Sequence, residues 1–289
     1  MDNYYDPEIL KRIQSVELDM LKDFDALCEK YQIEYFGVGG TTIGLLRHQG
    51  YIPWDDDIDI GMLREDYDRF LAVAEQEYGE KYSLLNFEKN PDYPLMTTRW
   101  VKNGTTFLEH NFRHIDANWG IFLDLFCFDN IPDDDRAFKK QGFWAWVWSK
   151  MLILRSVPFP VLEQTGFMKY CIWAGCAVLH FLIRLFHIPA EFFYKKAYAQ
   201  TTKYQNAETR RVSYMFDPAL YTSVMEKKDV LPTKRRTFEG MQVKFACNVE
   251  KYCRERYGDY MKMPPVEKRH NHVPYRLDFG DGDAQKISR

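Results

Sequence analysis

Apolar and polar positions along this chain repeat with two periods, and the period changes several times. Over residues 7–30, Ile9, Ile13, Val16, Met20, Leu21, Phe24, Leu27 and Cys28 return at three- and four-residue steps with charges between them, which predicts an amphipathic helix. Residues 34–38 read as a short extended run ending at Gly39-Gly40, and residues 41–48 resume a helical pattern. Asp57-Ile58-Asp59-Ile60 alternates residue by residue, the period of a strand. Residues 64–78 are helical again, with Tyr67, Phe70, Leu71 and Ala74 on one side. Residues 94–101 and 120–128 read as strands, the second apolar apart from Asp124. Near the end, a strand-like segment from Lys234 leads to a helix over 248–257, stopped by Gly258 and followed by a Pro264-Pro265 break and a His-rich tail. Strands mixed with helices, without an internal repeat, predict an α/β (α+β) fold.

From about residue 137 the character changes. Phe143, Trp144, Trp146, Val147, Trp148, Met151, Leu152, Ile153 and Leu154 form a dense aromatic and aliphatic stretch, and a second covers 170–188. The longest run here free of Asp, Glu, Lys and Arg is 170–183, only 14 residues. A bilayer span needs about 20 apolar residues, so a transmembrane helix is not expected. Lys139, Lys140, Lys150, Arg155, Lys169, Arg184, Lys195 and Lys196 flank both stretches. Aromatic helices with a cationic rim suit peripheral contact with an anionic membrane surface; a helical hairpin buried in an enlarged core is the competing reading.

Charge sharpens this division. The formal net charge of −3 conceals an acidic first part and a basic second part. Residues 1–140 carry 15 Lys and Arg against 28 Asp and Glu, a net −13, and residues 141–289 carry 24 against 14, a net +10. The division therefore falls into an acidic core over 1–136, an aromatic, basic helical insertion over 137–207, and a basic segment over 208–289 that completes the core. The acidic amino terminus lacks the character of a secretory signal, and none of the six cysteines falls in a Cys-x-x-Cys pair. Reduced cysteines are expected, in a cytoplasmic protein that the membrane-contact reading would hold at the inner face of the cell membrane. Nucleic-acid binding is not, because the basic residues are mixed with bulky apolar ones instead of forming a phosphate-tracking stripe.

The chemistry concentrates in YFGVGGTTIGLLRHQGYIPWDDDIDIGM, residues 35–62. A strand, Gly39-Gly40 and a helix start at Thr41 give phosphate a close approach to backbone N–H groups at a helix amino terminus. Asp57 and Asp59, one residue apart on a strand, project from the same face and repel unless a cation lies between them. Hard divalent cations with oxygen ligands, Mg²⁺ or Mn²⁺, suit such a pair. Asp124, isolated in the strand IFLDLF, is costly to bury unpaired and is the natural third member, as metal ligand or general base. A calcium loop competes, since Asp55, Asp57, Asp59 and Asp66 fall at its positions, but Ile60 stands where that loop requires Gly. The triplet Asp278-Phe279-Gly280 is read as coincidence with a kinase motif.

The segment GGTTIGLLRHQGYIPWDDDIDIGM resembles the signature of the LicD family of the nucleotidyltransferase superfamily. The likeness continues at RWVKNGTTF (99–107) and GIFLDLFCFDNIP (120–132), and returns at FEG (238–240), YGDYMKMPP (257–265) and KRHNH (268–272). It implies a nucleotidyltransferase-like mixed sheet flanked by helices, with the aromatic helices as an insertion outside the matching blocks. It implies further that Gly39 and Gly40 form the glycine turn, that Asp57 and Asp59 are the metal-binding Asp-x-Asp, and that Asp124 is the third acid. Asp55, Arg47 and His48 belong to the signature without a settled role. Thr41, Arg47, His48, Asp55, Arg99, Lys102 and His270 are candidate contacts to nucleotide or phosphate, and Arg269 and His272 candidates to close over a donor.

The implied activity is metal-dependent transfer of phosphocholine or a similar phospho-alcohol from a CDP-alcohol donor. The acceptor would be a hydroxyl of a glycan or lipid-linked glycan, such as a teichoic acid or lipopolysaccharide precursor. Two alternatives stay open: a nucleotidyltransferase that uses CTP, and a non-catalytic membrane- or glycan-associated scaffold.

Overall fold

The first helix begins where Asp6 accepts the Glu8 N–H at 2.8 Å and Pro7 fixes the first helical φ, a capped start followed by an amphipathic run. The computed structural model describes residues 6–160, 162, 166–266, 269 and 271–282. Its elements are α1 (Pro7–Lys30), β1 (Phe36–Gly37), α2 (Gly39–His48), β2 (Asp59–Leu63), α3 (Arg64–Tyr78), β3 (Tyr82–Leu85), β4 (Thr98–Lys102), β5 (Thr106–Leu108) and β6 (Phe122–Ile131). There follow α4 (Asp135–Ser156), α5 (Gly166–Leu185), α6 (Ala190–Thr201), β7 (Arg211–Tyr214), β8 (Ser223–Glu226) and α7 (Lys227–Val230). The chain closes with β9 (Lys234–Phe238), β10 (Met241–Phe245), α8 (Val249–Tyr257) and β11 (Arg276–Asp278).

The fold is mixed α/β around a nine-stranded mixed sheet. Seven strands run in the order β3-β4-β6-β2-β1-β10-β9, and β7 pairs with the far end of β6 and with β8. The β2–β6 and β1–β10 pairs are parallel and the others antiparallel. Residues 234–245 thus lie beside β1 in the same sheet, far away in sequence. A separate two-stranded pairing joins β11 to β5.

Strand alternation decides what each face of the sheet carries. Trp100 on β4 points to the face covered by α1 and α3, where it is fully buried and meets Phe24 and Phe70, each at 5.8 Å between ring centroids. Its neighbour Arg99 points to the opposite face, together with Asp124 of β6 and Asp59 of β2.

The aromatic region forms the consecutive helices α4, α5 and α6. Leu152, Leu154, Ile183 and Phe193 make a small cluster with Phe87 of the main body. The buried-hairpin reading does not describe α5, of which only 6% is buried. Nor does the uncharged-run argument capture it: α5 is a continuous 20-residue helix, long and apolar enough by length and composition to cross a bilayer. Lys169 and Arg184 lie within its two ends, so counting only the residues between charges shortened it.

Candidate active site

Three elements converge on the open face of the sheet. Asp59, the first residue of β2, pairs directly with Asp124 of β6, and Asp124 pairs on its other side with Arg99 of β4. Asp57 sits in the extended connection just before β2; the strand begins two residues later than the alternation predicts. The alternation still holds its carboxylate on the same side, and one ligand oxygen from each of Asp57, Asp59 and Asp124 lies within 4.8 Å of the others.

Packing at the start of α2 makes this approach feasible. Gly39 has φ +55°, and a Cβ there would fall inside the Asp59 carboxylate. A Cβ on Gly40 would come 2.7 Å from Asp55 Oδ2. The Gly40 N–H donates to Asp59 Oδ2 at 3.1 Å, and the Gly39 N–H to Tyr252 Oη at 3.2 Å. Thr41 Oγ1 accepts the backbone N–H of Asp59 at 2.8 Å. In this structure the glycine turn therefore admits carboxylates, and the α2 amino terminus is engaged with Asp59.

The charge balance is negative. Burial pushes Asp59 well above the usual carboxylate range, with repulsion from Asp57 and Asp124 adding to it. Asp55 is raised in the same way, by burial and then by Asp57, Asp56 and Asp59. Asp57 is pushed up to about 6 by burial, with His272 opposing. Asp124 is also raised by burial, against the pull of Arg99. Such a set of oxygen donors with surplus negative charge fits a hard divalent cation, which would relieve the repulsion.

Arg99 is the principal buried counter-charge. Its Nε lies 3.2 Å from Asp124 Oδ1, its Nη2 2.7 Å from Glu109 Oε1, and its guanidinium 3.7 Å from the centre of the Phe122 ring. Its Nη1 is buried and has no hydrogen-bond partner among the described residues.

Other expected residues are placed differently. Arg47 and His48 end α2, some eight residues from Gly39 and so about 12 Å along the helix. Arg47 Nη1 donates to Tyr260 O at 3.0 Å, and its guanidinium lies 6.0 Å from the Trp54 ring, which Arg269 approaches at 4.3 Å on its own account. Lys102 lies three positions beyond Arg99 on β4, hence on the other face, with its Nζ 5.9 Å from the Tyr82 ring. The structure does not bring it to the acids. His270 lies outside the described residues.

Two acids, Asp56 and Glu17, escaped the sequence reading, and one of them is held by His272, expected there to close over a donor. Asp56 is 1% exposed and accepts the His272 backbone N–H on both oxygens, at 3.0 and 2.9 Å. His272 Nδ1 lies 3.2 Å from Asp56 Oδ1 and 3.4 Å from Asp57 Oδ2, so Asp56, Asp57 and His272 form a second group able to hold a cation. Half of the His272 side chain is open to solvent, and although burial opposes its charge, Asp56 and Asp57 raise its pKa well above the usual value. Glu17 of α1 lies beneath, accepting the Tyr51 hydroxyl at 3.0 Å, and burial raises it strongly. The only sequence signal for Asp56 was its membership of an unbroken run of three acids, and Glu17 looked like one more charge between apolar helix positions.

Residues 32–175 match the family described as LicD/FKTN/FKRP, nucleotidyltransferase domain. The lipopolysaccharide cholinephosphotransferase LicD of Haemophilus influenzae is 26% identical over 279 residues, covering 91% of this chain and 95% of that protein. Two shorter likenesses are to uncharacterized proteins of Rickettsia. That of Rickettsia typhi is 44% identical over 57 residues, 20% of this chain and 18% of that protein. That of Rickettsia prowazekii is 49% identical over 47 residues, 16% of this chain and 18% of that protein.

Proposed function

The chain belongs to the LicD family, and from that premise we propose that it transfers phosphocholine, or a similar phospho-alcohol, from a CDP-activated donor to a glycan hydroxyl. The acceptor on this reading is a cell-surface glycan precursor of the lipopolysaccharide or teichoic acid kind, modified on the cytoplasmic side at the inner face of the membrane. The observation that carries the proposal is the convergence of Asp57, Asp59 and Asp124 beside Arg99. The catalytic unit is residues 1–136 with 208–289, and 137–207 is an insertion into it.

In the proposed reaction the acceptor hydroxyl oxygen attacks the phosphorus of the phospho-alcohol, and the P–O bond to CMP breaks. Asp57, Asp59 and Asp124 would hold Mg²⁺ or Mn²⁺, which supplies charge neutralisation for the diphosphate and for the departing CMP. Asp124 would either complete that ligand set or accept the hydroxyl proton; its raised pKa suits a base that must release the proton again. The unpartnered Nη1 of Arg99 offers a charge-assisted donor to a phosphate oxygen.

Thermal melting with CDP-choline, CDP-ribitol, CDP-glycerol and CTP, each with and without Mg²⁺, tests this without knowing the acceptor. A ligand at about 100 times its Kd adds about 2.7 kcal/mol of stability, which is readily seen. The expected result is a Mg²⁺-dependent upward shift for one CDP-alcohol that disappears in Asp57→Asn. A shift with CTP alone would move the reading to nucleotidyl transfer, and no shift with any of them would move it to a scaffold.

A further inference from the structure

The α5 helix reverses the usual arrangement of a surface helix. Its partly covered stripe, Lys169, Ile172, Trp173, Cys176, Ala177, His180 and Ile183, repeats at three- and four-residue steps and rests on α4. Trp173 Nε1 donates to Pro160 O at 2.9 Å, and His180 Nδ1 lies 2.7 Å from Leu154 O, so the helix is tied to the body at two levels. The opposite face should be polar if water covered it. Instead it presents Phe167, Tyr170, Val178, Phe181, Leu185 and Phe186, exposed by 52–84%. Exposed Phe159 meets the Trp173 ring edge-on, and Phe143, Trp144 and Phe192 are exposed on α4 and α6. Contiguous apolar surface of this kind marks an interaction site.

Charge identifies the partner. Residues 137–207 hold nine Lys and Arg against two Glu, a net +7. Arg184 stands at the carboxyl end of α5 close enough to Arg155 to help depress its pKa, after burial, so two cations are held near each other. Lys169 Nζ lies 4.4 Å from the Trp173 ring at the other end. An exposed apolar face on a helix with a cation near each end complements an anionic phospholipid leaflet. Length alone would let α5 cross a bilayer, but the polar ties at Trp173 and His180 keep the protein body alongside the helix, where a crossing would draw that body into lipid.

We propose that α5 lies in the plane of an anionic membrane surface, its Phe167–Phe181–Phe186 side among the acyl chains and its cationic ends at the headgroups, so that the enzyme docks without spanning. This holds whether or not the transfer reaction proposed above is correct, and its test uses no nucleotide.

The full chain would be floated with phosphatidylglycerol/phosphatidylcholine vesicles and with pure phosphatidylcholine vesicles, and the bound fraction extracted with alkaline carbonate. Co-flotation with the anionic vesicles is expected, together with release by carbonate. Binding to phosphatidylcholine alone, or by Lys169→Glu/Arg184→Glu to anionic vesicles, should be roughly tenfold weaker or less still. Phe181→Ser/Phe186→Ser should abolish binding with an unchanged melting temperature, since both side chains are exposed. Equal binding to both vesicles with resistance to carbonate would overturn the in-plane placement in favour of a span. Failure to float with either, or a stable dimer in lipid-free sedimentation that Phe181→Ser/Phe186→Ser dissociates, would overturn the lipid partner.

Discussion

Asp59 and Asp124 stand directly opposite one another in the parallel pairing of β2 with β6, two acids in register on one face of the sheet. Parallel pairing places them side by side without any help from a cation, and burial then penalises both charges. A site of this kind trades stability for binding. Asp59→Asn should raise the melting temperature of the metal-free protein while lowering turnover about a hundredfold or more; Asp124→Asn should lower turnover as far without that gain, because it also takes a partner from buried Arg99. Melting in chelator beside steady-state turnover checks both signs; Asp59→Asn melting lower in chelator would show that the acids are not in repulsive contact.

Gly39→Ala addresses the same carboxylate from the other side. The new Cβ would occupy the Asp59 carboxylate position, and φ +55° is itself unfavourable for alanine. We expect about 1–3 kcal/mol of destabilisation, with divalent-ion affinity falling more than at Gly240→Ala, where a Cβ meets open space. Chemical denaturation and Mn²⁺ titration of both variants check this, and equal ion affinity in the two would remove Gly39 from the site.

Much of this arrangement was legible in the sequence, for reasons that differ by residue. Asp57 and Asp59 were found because a period-two alternation survives even where the strand itself starts late. Asp124 was found because a lone acid in an apolar strand demands a partner. Asp56 was hidden by the same alternation, which assigns it to the other side. Its partner His272 lies 216 residues away, and nothing local connects the two. Arg99 was named as a phosphate contact, but its bonds to Asp124 and Glu109 depend on strand register, which no single segment encodes. The strands β3, β5, β7, β8, β10 and β11 were missed for a related reason: strands of three to five residues are decided by the neighbours they pair with. For α5 the residues left two readings open, membrane contact and buried hairpin, because apolar character alone does not say whether protein or lipid covers it.

The raised carboxyls also fix a pH dependence. Asp57 rises from 3.8 to about 6 in the folded protein, so the native state binds its proton more tightly than the unfolded chain. Metal-free stability from this group is therefore greatest below the unfolded value and declines as pH rises from about 4 to above 6. Asp55, Asp59, Asp124 and Glu17 act with the same sign. Divalent cations compete with those protons, so their affinity should fall as pH drops through about 6. The metal-free protein should melt lower at about pH 7.5 than at about pH 5.5, with Mg²⁺ or Mn²⁺ shrinking the difference and Asp57→Asn removing part of it. A flat profile for the unsubstituted protein in chelator would contradict the buried acid cluster.

Arg99 separates a structural from a substrate-binding role. Its guanidinium serves Asp124 and Glu109 at once and lies against the Phe122 ring, while Nη1 is left over. Arg99→Met would leave two acids without their buried partner, which should cost about 3–5 kcal/mol and raise Asp124 further. Arg99→Lys keeps a charge near Asp124 but cannot reproduce the fork, so it should cost less stability while still losing the spare donor. If Nη1 binds a donor phosphate, Arg99→Lys should weaken donor binding roughly tenfold or more under conditions where it remains fully folded. Donor titration against a chemical denaturation curve for both variants decides the matter: donor affinity unchanged in folded Arg99→Lys would make Arg99 a purely structural counter-charge.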